Sequence, residues 1–148
     1  MNYLTKKLDY KKIILNTKDA IFVNTAKTEY TFTLRSINIK EISFLKFDML
    51  AGYVLAGNID KLFEIKVDGI DYNKASYYNS DKNGIPTLAY HSLNGKSSTH
   101  IGNIALELVP QDVSSIKLII KDENGGGLDV NEDLIVSMVI EEIPEVVV

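Results

Sequence analysis

The sequence predicts an all-β protein, an antiparallel β-sandwich of about eight to ten strands, and three observations predict it. Apolar and polar residues alternate with period two in several segments, as in strands with one face on a core. Turn residues punctuate those segments at the short intervals of a sandwich or barrel. Helical patterning is thin: Ile39–Leu50 has some suitable spacing but is rich in Ile and Phe and has no clear cap, and Met49–Asp60 and Ala75–Asp81 have room only for a turn. With 148 residues, 45% hydrophobic and 24% charged, the chain fits one domain over 1–148. A chain of this size buries about two-thirds of its unfolded surface and needs no disulfide or metal.

Taken in order, strands are expected at 12–16, 19–24, 29–35, 37–49, 62–68, 70–73, 87–91, 101–109, 113–121 and 133–143. The clearest alternation sets Tyr30, Phe32 and Leu34 against Glu29, Thr31 and Thr33. Phe63, Ile65 and Val67 likewise alternate with Glu64, Lys66 and Asp68, and Ile116, Leu118 and Ile120 with Ser115, Lys117 and Lys121, Ile119 being the exception. Three other segments, Ile37–Met49, Ile104–Val109 and Leu134–Ile140, are apolar on both faces, the mark of strands covered on both sides. A bend is expected near Lys40-Glu41. Asp68-Gly69, Asn83-Gly84, Asn94-Gly95 and Asn124-Gly125 suit turns that need positive φ, with Asp68-Gly69 the best hairpin candidate.

Composition removes many routes to chemistry. The chain has no Cys, so disulfide scaffolds, Cys-ligated metal centres and Cys nucleophiles are out. The net charge of −4 does not suit a nucleic-acid binder. It conceals an asymmetry: residues 1–40 carry eight basic and three acidic side chains (+5), the rest eight basic and seventeen acidic (−9). No apolar run approaches the roughly 20 residues of a membrane span. The two histidines, His91 and His100, flank the polar segment Ser92–Thr99 and read as solvated loop histidines, since no third His or Cys completes a metal site.

Asn94-Gly95-Lys96-Ser97 mimics the end of a phosphate-binding loop. Tyr90 stands where the first glycine is needed, however, and a strand follows in place of a helix, so a hairpin turn is expected. Asp122–Asp129, with Glu132 and Asp133, has the oxygens of a calcium loop, but Gly126 falls at the third ligand position of an EF-hand, so a plain turn is expected. No Gly-X-Ser-X-Gly elbow occurs. The chain is read as a non-enzyme without cofactors.

The stretch "YTFTLRSINIKEISFLKFDMLAGYVLAGNIDKLFEIKVDGIDY" resembles the opening of small single jelly-roll virion proteins, and "NIALELVPQDVSSIKLIIKDENGGGLDVNEDLIVSMVIEEI" resembles their closing strands. The likeness covers about residues 28–143 and is one of pattern. It implies a single jelly roll, a role as a penton or minor capsid protein of a tailless icosahedral DNA virus, and a virion location, with the cytoplasm as the alternative. The expected partners are copies of the chain, as pentamers or trimers, and other capsid proteins. Contact is expected through the basic N-terminal arm 1–12 (Lys6, Lys7, Lys11, Lys12) and the apolar tail 144–148 (Val146, Val147, Val148), with nucleic acid met only through the arm. The alternative is a carbohydrate- or calcium-dependent binding module using the tyrosines of Tyr72–Tyr90 and the Asp122–Asp129 loop.

Overall fold

The computed structural model describes residues 10–51, 61–73, 84–94, 97–101, 105–127 and 134–142. These residues form ten strands: β1 (Tyr10–Asn16), β2 (Phe22–Val23), β3 (Glu29–Ile39), β4 (Ser43–Ala51), β5 (Lys61–Asp68), β6 (Ala89–Asn94), β7 (Ser97–Ile101), β8 (Ala105–Leu108), β9 (Gln111–Asp122) and β10 (Ile135–Glu142). They make two antiparallel sheets, a four-stranded one in the order β1-β10-β4-β8 and a six-stranded one in the order β2-β3-β9-β5-β6-β7.

The pairing is nested. β1 pairs β10, β3 pairs β9, β4 pairs β8 and β5 pairs β6, each pair enclosed in sequence by the one before. Rolling such a long hairpin adds the contacts β10·β4 and β9·β5 and divides the strands between two packed sheets. That is the jelly roll, and the fold is the one expected.

Period-two alternation builds the core between the sheets. Leu45, Leu106, Leu108, Val136 and Met138 point inward from the four-stranded sheet, and Phe63, Ile65, Ile116, Leu118 and Ile120 from the six-stranded one; all are buried. The strands sort by their sequence pattern. The three clean alternations fall in β3, β5 and β9, neighbours in the six-stranded sheet. The segments apolar on both faces fall mainly on β4, β8 and β10, neighbours in the four-stranded sheet, with the first also taking in the end of β3.

Several boundaries differ from expectation. The segment 37–49 is not one strand: β3 runs on to Ile39, the chain turns at Lys40–Ile42, where the bend was expected, and β4 begins in the other sheet. The segment 101–109 is likewise split between β7 and β8, in different sheets. Only Phe22 and Val23 of 19–24 are strand, after a 3-10 turn over Thr17–Asp19. Asp68-Gly69 does not close a hairpin. Gly69 has φ +90° and lies so near β9 that a Cβ would meet Ser115 O at 2.7 Å. The chain then leaves the sheet, and Tyr72 forms a single bridge to Leu108 of β8 in place of a strand at 70–73. Asn94 pairs with Ser97 in register, so the segment that mimicked a phosphate loop joins two strands, as expected. Most of Met49–Asp60 and all of Ala75–Asp81 lie outside the described residues. No helix among the described residues is long and apolar enough to cross a membrane.

Candidate assembly surface

With the inner faces consumed by the core, the outer faces and sheet edges remain for function. On the outer face of the four-stranded sheet, register places Ile14 of β1, Ser137 of β10 and Met49 of β4 in one row. Lys12, Val139 and Lys46 form the next row, and Tyr10, Glu141 and Phe44 the one after. Ile14 is 63% exposed, Tyr10 63% and Met49 46%. Of these three, Met49 comes from a segment read as apolar on both faces, whereas Tyr10 and Ile14 come from the edge strand β1.

Two ion pairs form within this face. Lys46 Nζ lies 2.7 Å from Glu141 Oε2, and Lys12 Nζ 3.4 Å from Asp48 Oδ2. Asp48 is the extra residue of a bulge: Ser137 pairs with Met49 but Met138 with Phe47. A bulge re-aims its side chain, and here Ser137 Oγ donates to Asp48 Oδ2 at 2.8 Å. That hydrogen bond, together with Lys12, holds the Asp48 carboxyl below its ordinary pKa against the upward pull of partial burial. A face whose ions are already paired offers a partner mainly its apolar surface.

The six-stranded sheet has a different outer face. Thr31, Lys117 and Asp68 share one row, and Glu29, Ile119 and Lys66 the next. Glu64, Lys121 and Tyr90 share the row beyond. Thr87 Oγ1 and Tyr90 Oη both donate to Glu64 Oε2, at 2.9 and 3.2 Å, and Lys66 Nζ lies 3.3 Å from Glu64 Oε1. At its free edge, β2 carries the exposed tripeptide Ile21-Phe22-Val23.

The residues singled out by the sequence divide among these places. Lys11 and Lys12 belong to β1, so the sandwich reaches into the span read as an arm. Lys11 Nζ donates to Asn38 O at 2.9 Å, tying β1 to β3 across the rim of a cleft of about 450 Å³. Lys6, Lys7, Val146, Val147 and Val148 lie outside the described residues. His91 is not a solvated loop histidine: it is 3% exposed in β6, its ring centroid 5.9 Å from that of Phe47 in the opposite sheet. Alternation puts it on the inner face with Ala89, opposite Phe63 of β5, and its register partner in β7 is His100.

The binding-module alternative meets a mixed geometry. Tyr90, Asp122 and Glu123 do line one shallow depression of about 220 Å³. Yet Asp122 Oδ1 already accepts from the backbone N–H groups of Asn124 and Gly126, closing its own turn. Tyr72 is buried, with its hydroxyl donating to Val67 O. Tyr77, Tyr78 and residues 128–133 lie outside the described residues. Among the described residues, no group of three or more His, Asp or Glu side chains is placed to hold a metal ion.

Comparison with known proteins finds no matching family model and no matching curated protein.

What the sequence reading missed is the β2 edge. Its signal was present, since Ile21-Phe22-Val23 is an unbroken apolar triplet beside the turn-prone Asn24-Thr25.

Proposed function

We propose that this chain is a structural protein that works by assembling, its jelly roll joining copies of itself into a closed ring of the pentamer or trimer kind within a virion shell. The observation that carries this reading is the outer face of the four-stranded sheet, where Tyr10, Ile14 and Met49 stand exposed among self-paired ions. Exposed apolar side chains gathered on one sheet face favour an interaction site there. The resemblance to small single jelly-roll virion proteins supplies the particle context, including other shell proteins as further partners. No residue is assigned chemistry in this role; association follows from apolar burial, with stable interfaces covering about 1,200 Å² or more in total.

Multi-angle light scattering from sub-micromolar to tens of micromolar protein tests the proposal. A discrete oligomer is expected for the natural chain and a monomer for the double variant Ile14→Asp, Met49→Asp. Thr33→Asp, an exposed position on the opposite sheet, should leave the oligomer unchanged. A natural chain that stays monomeric throughout, alone and with other shell components, sinks the reading.

A further inference from the structure

Among the described residues, the buried polar or charged side chains are Thr28, Ser43, Thr87, His91 and Ser137. Of these residue types, only histidine ordinarily changes charge between pH 5 and 8. His91 is enclosed by both sheets. It is 3% exposed, and its ring centroid lies 5.9 Å from that of Phe47 across the sandwich, the planes tilted by 58°. Ala89 on its own strand and Phe63 beside it in register are fully buried. We propose that His91 is an acid-sensitive latch: proton uptake by its ring opens the β6–β7 end of the six-stranded sheet while the rest of the sandwich stays closed. The proposal is independent of the assembly reading.

The surroundings of the ring set the direction of the effect. On β7, His100 holds the register position beside His91, so a charge there adds like-charge repulsion. On β5, Phe63 separates His91 from Asp122 of β9, two strand spacings or about 10 Å away. Asp122 Oδ1 accepts from the turn N–H groups of Asn124 and Gly126. Lys61, also on β5, pairs with Leu93, two positions along β6 from His91, and brings a further cation to that end. Glu64 belongs to the outer face, where it accepts from Thr87 and Tyr90. On β4, Lys46 and Asp48 beside Phe47 point outward to Glu141 and Lys12. Enclosure of this kind disfavours the imidazolium.

Once β6 opens, the ring regains water and the ordinary histidine pKa of about 6.5. Below that pH the opened state binds more protons than the closed one. The closed state is therefore held fully above about pH 6.5 and is progressively lost as pH falls below it. Topology keeps the opening local. β7 is the edge strand with β6 its neighbour, so freeing both breaks the β5·β6 pairing while β5 stays paired with β9.

Hydrogen exchange on the full chain, read as protection factors at about pH 7.5 and about pH 5.5, tests the latch. One proton taken up only on opening lowers protection about tenfold over that interval. That loss is expected at the amides of β6 and β7, with β1 and β10 unchanged, and His91→Phe should remove it. The natural chain gives a second readout that needs no variant: in the closed state the His91 ring resonances should keep their neutral positions down to about pH 5.5. Equal protection of β6 and β7 at both pH values overturns the proposal, as does a full loss that persists in His91→Phe. A loss removed by His100→Gln but not by His91→Phe assigns the trigger to the other histidine and overturns it too. So does a His91 ring that titrates near pH 6.5 while β6 stays protected, since the closed sandwich would then hold the charge.

Discussion

Ile14 and Ile119 are the same residue type on the outer faces of two sheets, yet Ile14 is 63% exposed and Ile119 is 7% exposed. Ile119 sits in a middle strand, in register between Glu29 and Lys66, and the Lys66 side chain is itself only 12% exposed. Long charged side chains lay their methylene stems over an apolar neighbour while their heads stay wet. Ile14 sits in an edge strand, and its one register neighbour is the short Ser137. Among the described residues, the fold thus covers Ile119 on one outer face and leaves Ile14 open on the other. An apolar residue outside the core becomes informative where such cover is missing.

Four measurements would break or sharpen this contrast. The largest effects should come from the inner faces, where the sheets are equivalent. Leu45→Ala in the four-stranded sheet and Leu118→Ala in the six-stranded one should each cost about 2–5 kcal/mol in denaturant titrations, since both are fully buried. A large difference between them would mean that the sheets do not share one core. Next, Ile119→Ala should cost about 2 kcal/mol, whereas Ile14→Ala, measured on the monomer, should stay within about 0.5 kcal/mol. Equal costs would remove the distinction between covered and uncovered faces.

Third, Asp122→Ala at the end of β9 should cost about 1 kcal/mol, because two turn N–H groups lose their acceptor. Hydrogen exchange at Asn124 and Gly126 should rise while the four-stranded sheet keeps its protection. The smallest effect concerns Asp48. Its folded pKa is lowered, so its contribution to stability is present above the ordinary carboxylate range and is lost as pH falls through the lower folded value. Ser137→Ala should move the Asp48 titration, followed by carboxyl NMR, back toward the ordinary range and flatten that acid-side loss. An unmoved titration would show that Lys12 alone sets it.

Much of this architecture is legible in the residues. Clean alternation marked β3, β5 and β9, and doubly apolar runs marked β4, β8 and β10, because a strand's two faces are written in its odd and even positions. Where the chain changes sheet was harder to read. Lys40-Glu41 looked like a bend within a strand and Asp68-Gly69 like a hairpin, since one turn sequence serves whether the next strand pairs locally or crosses the sandwich. His91 was misread because Ser92 beside it is polar, although the parity of Ala89 and His91 already placed both on one face. The candidate surface was half legible: apolar residues on both faces predicted a covered strand, but only register showed which of them share an open row.

The nested pairing of β1 with β10 has a further consequence, in the order of folding. Tyr10 meets Glu141 across nearly the whole described chain, whereas β5 meets β6 and β6 meets β7 over far shorter separations. Closing longer loops costs more entropy, and folds rich in distant pairings form slowly. The inner pairs are therefore expected to form first and β1 to dock last. Ile14 and Lys12 come with β1, so the uncovered face is complete only when the rest of the sandwich has folded. Under the proposed assembly, a half-folded copy would lack the surface that a neighbour grips, and association would wait until the monomer is sound.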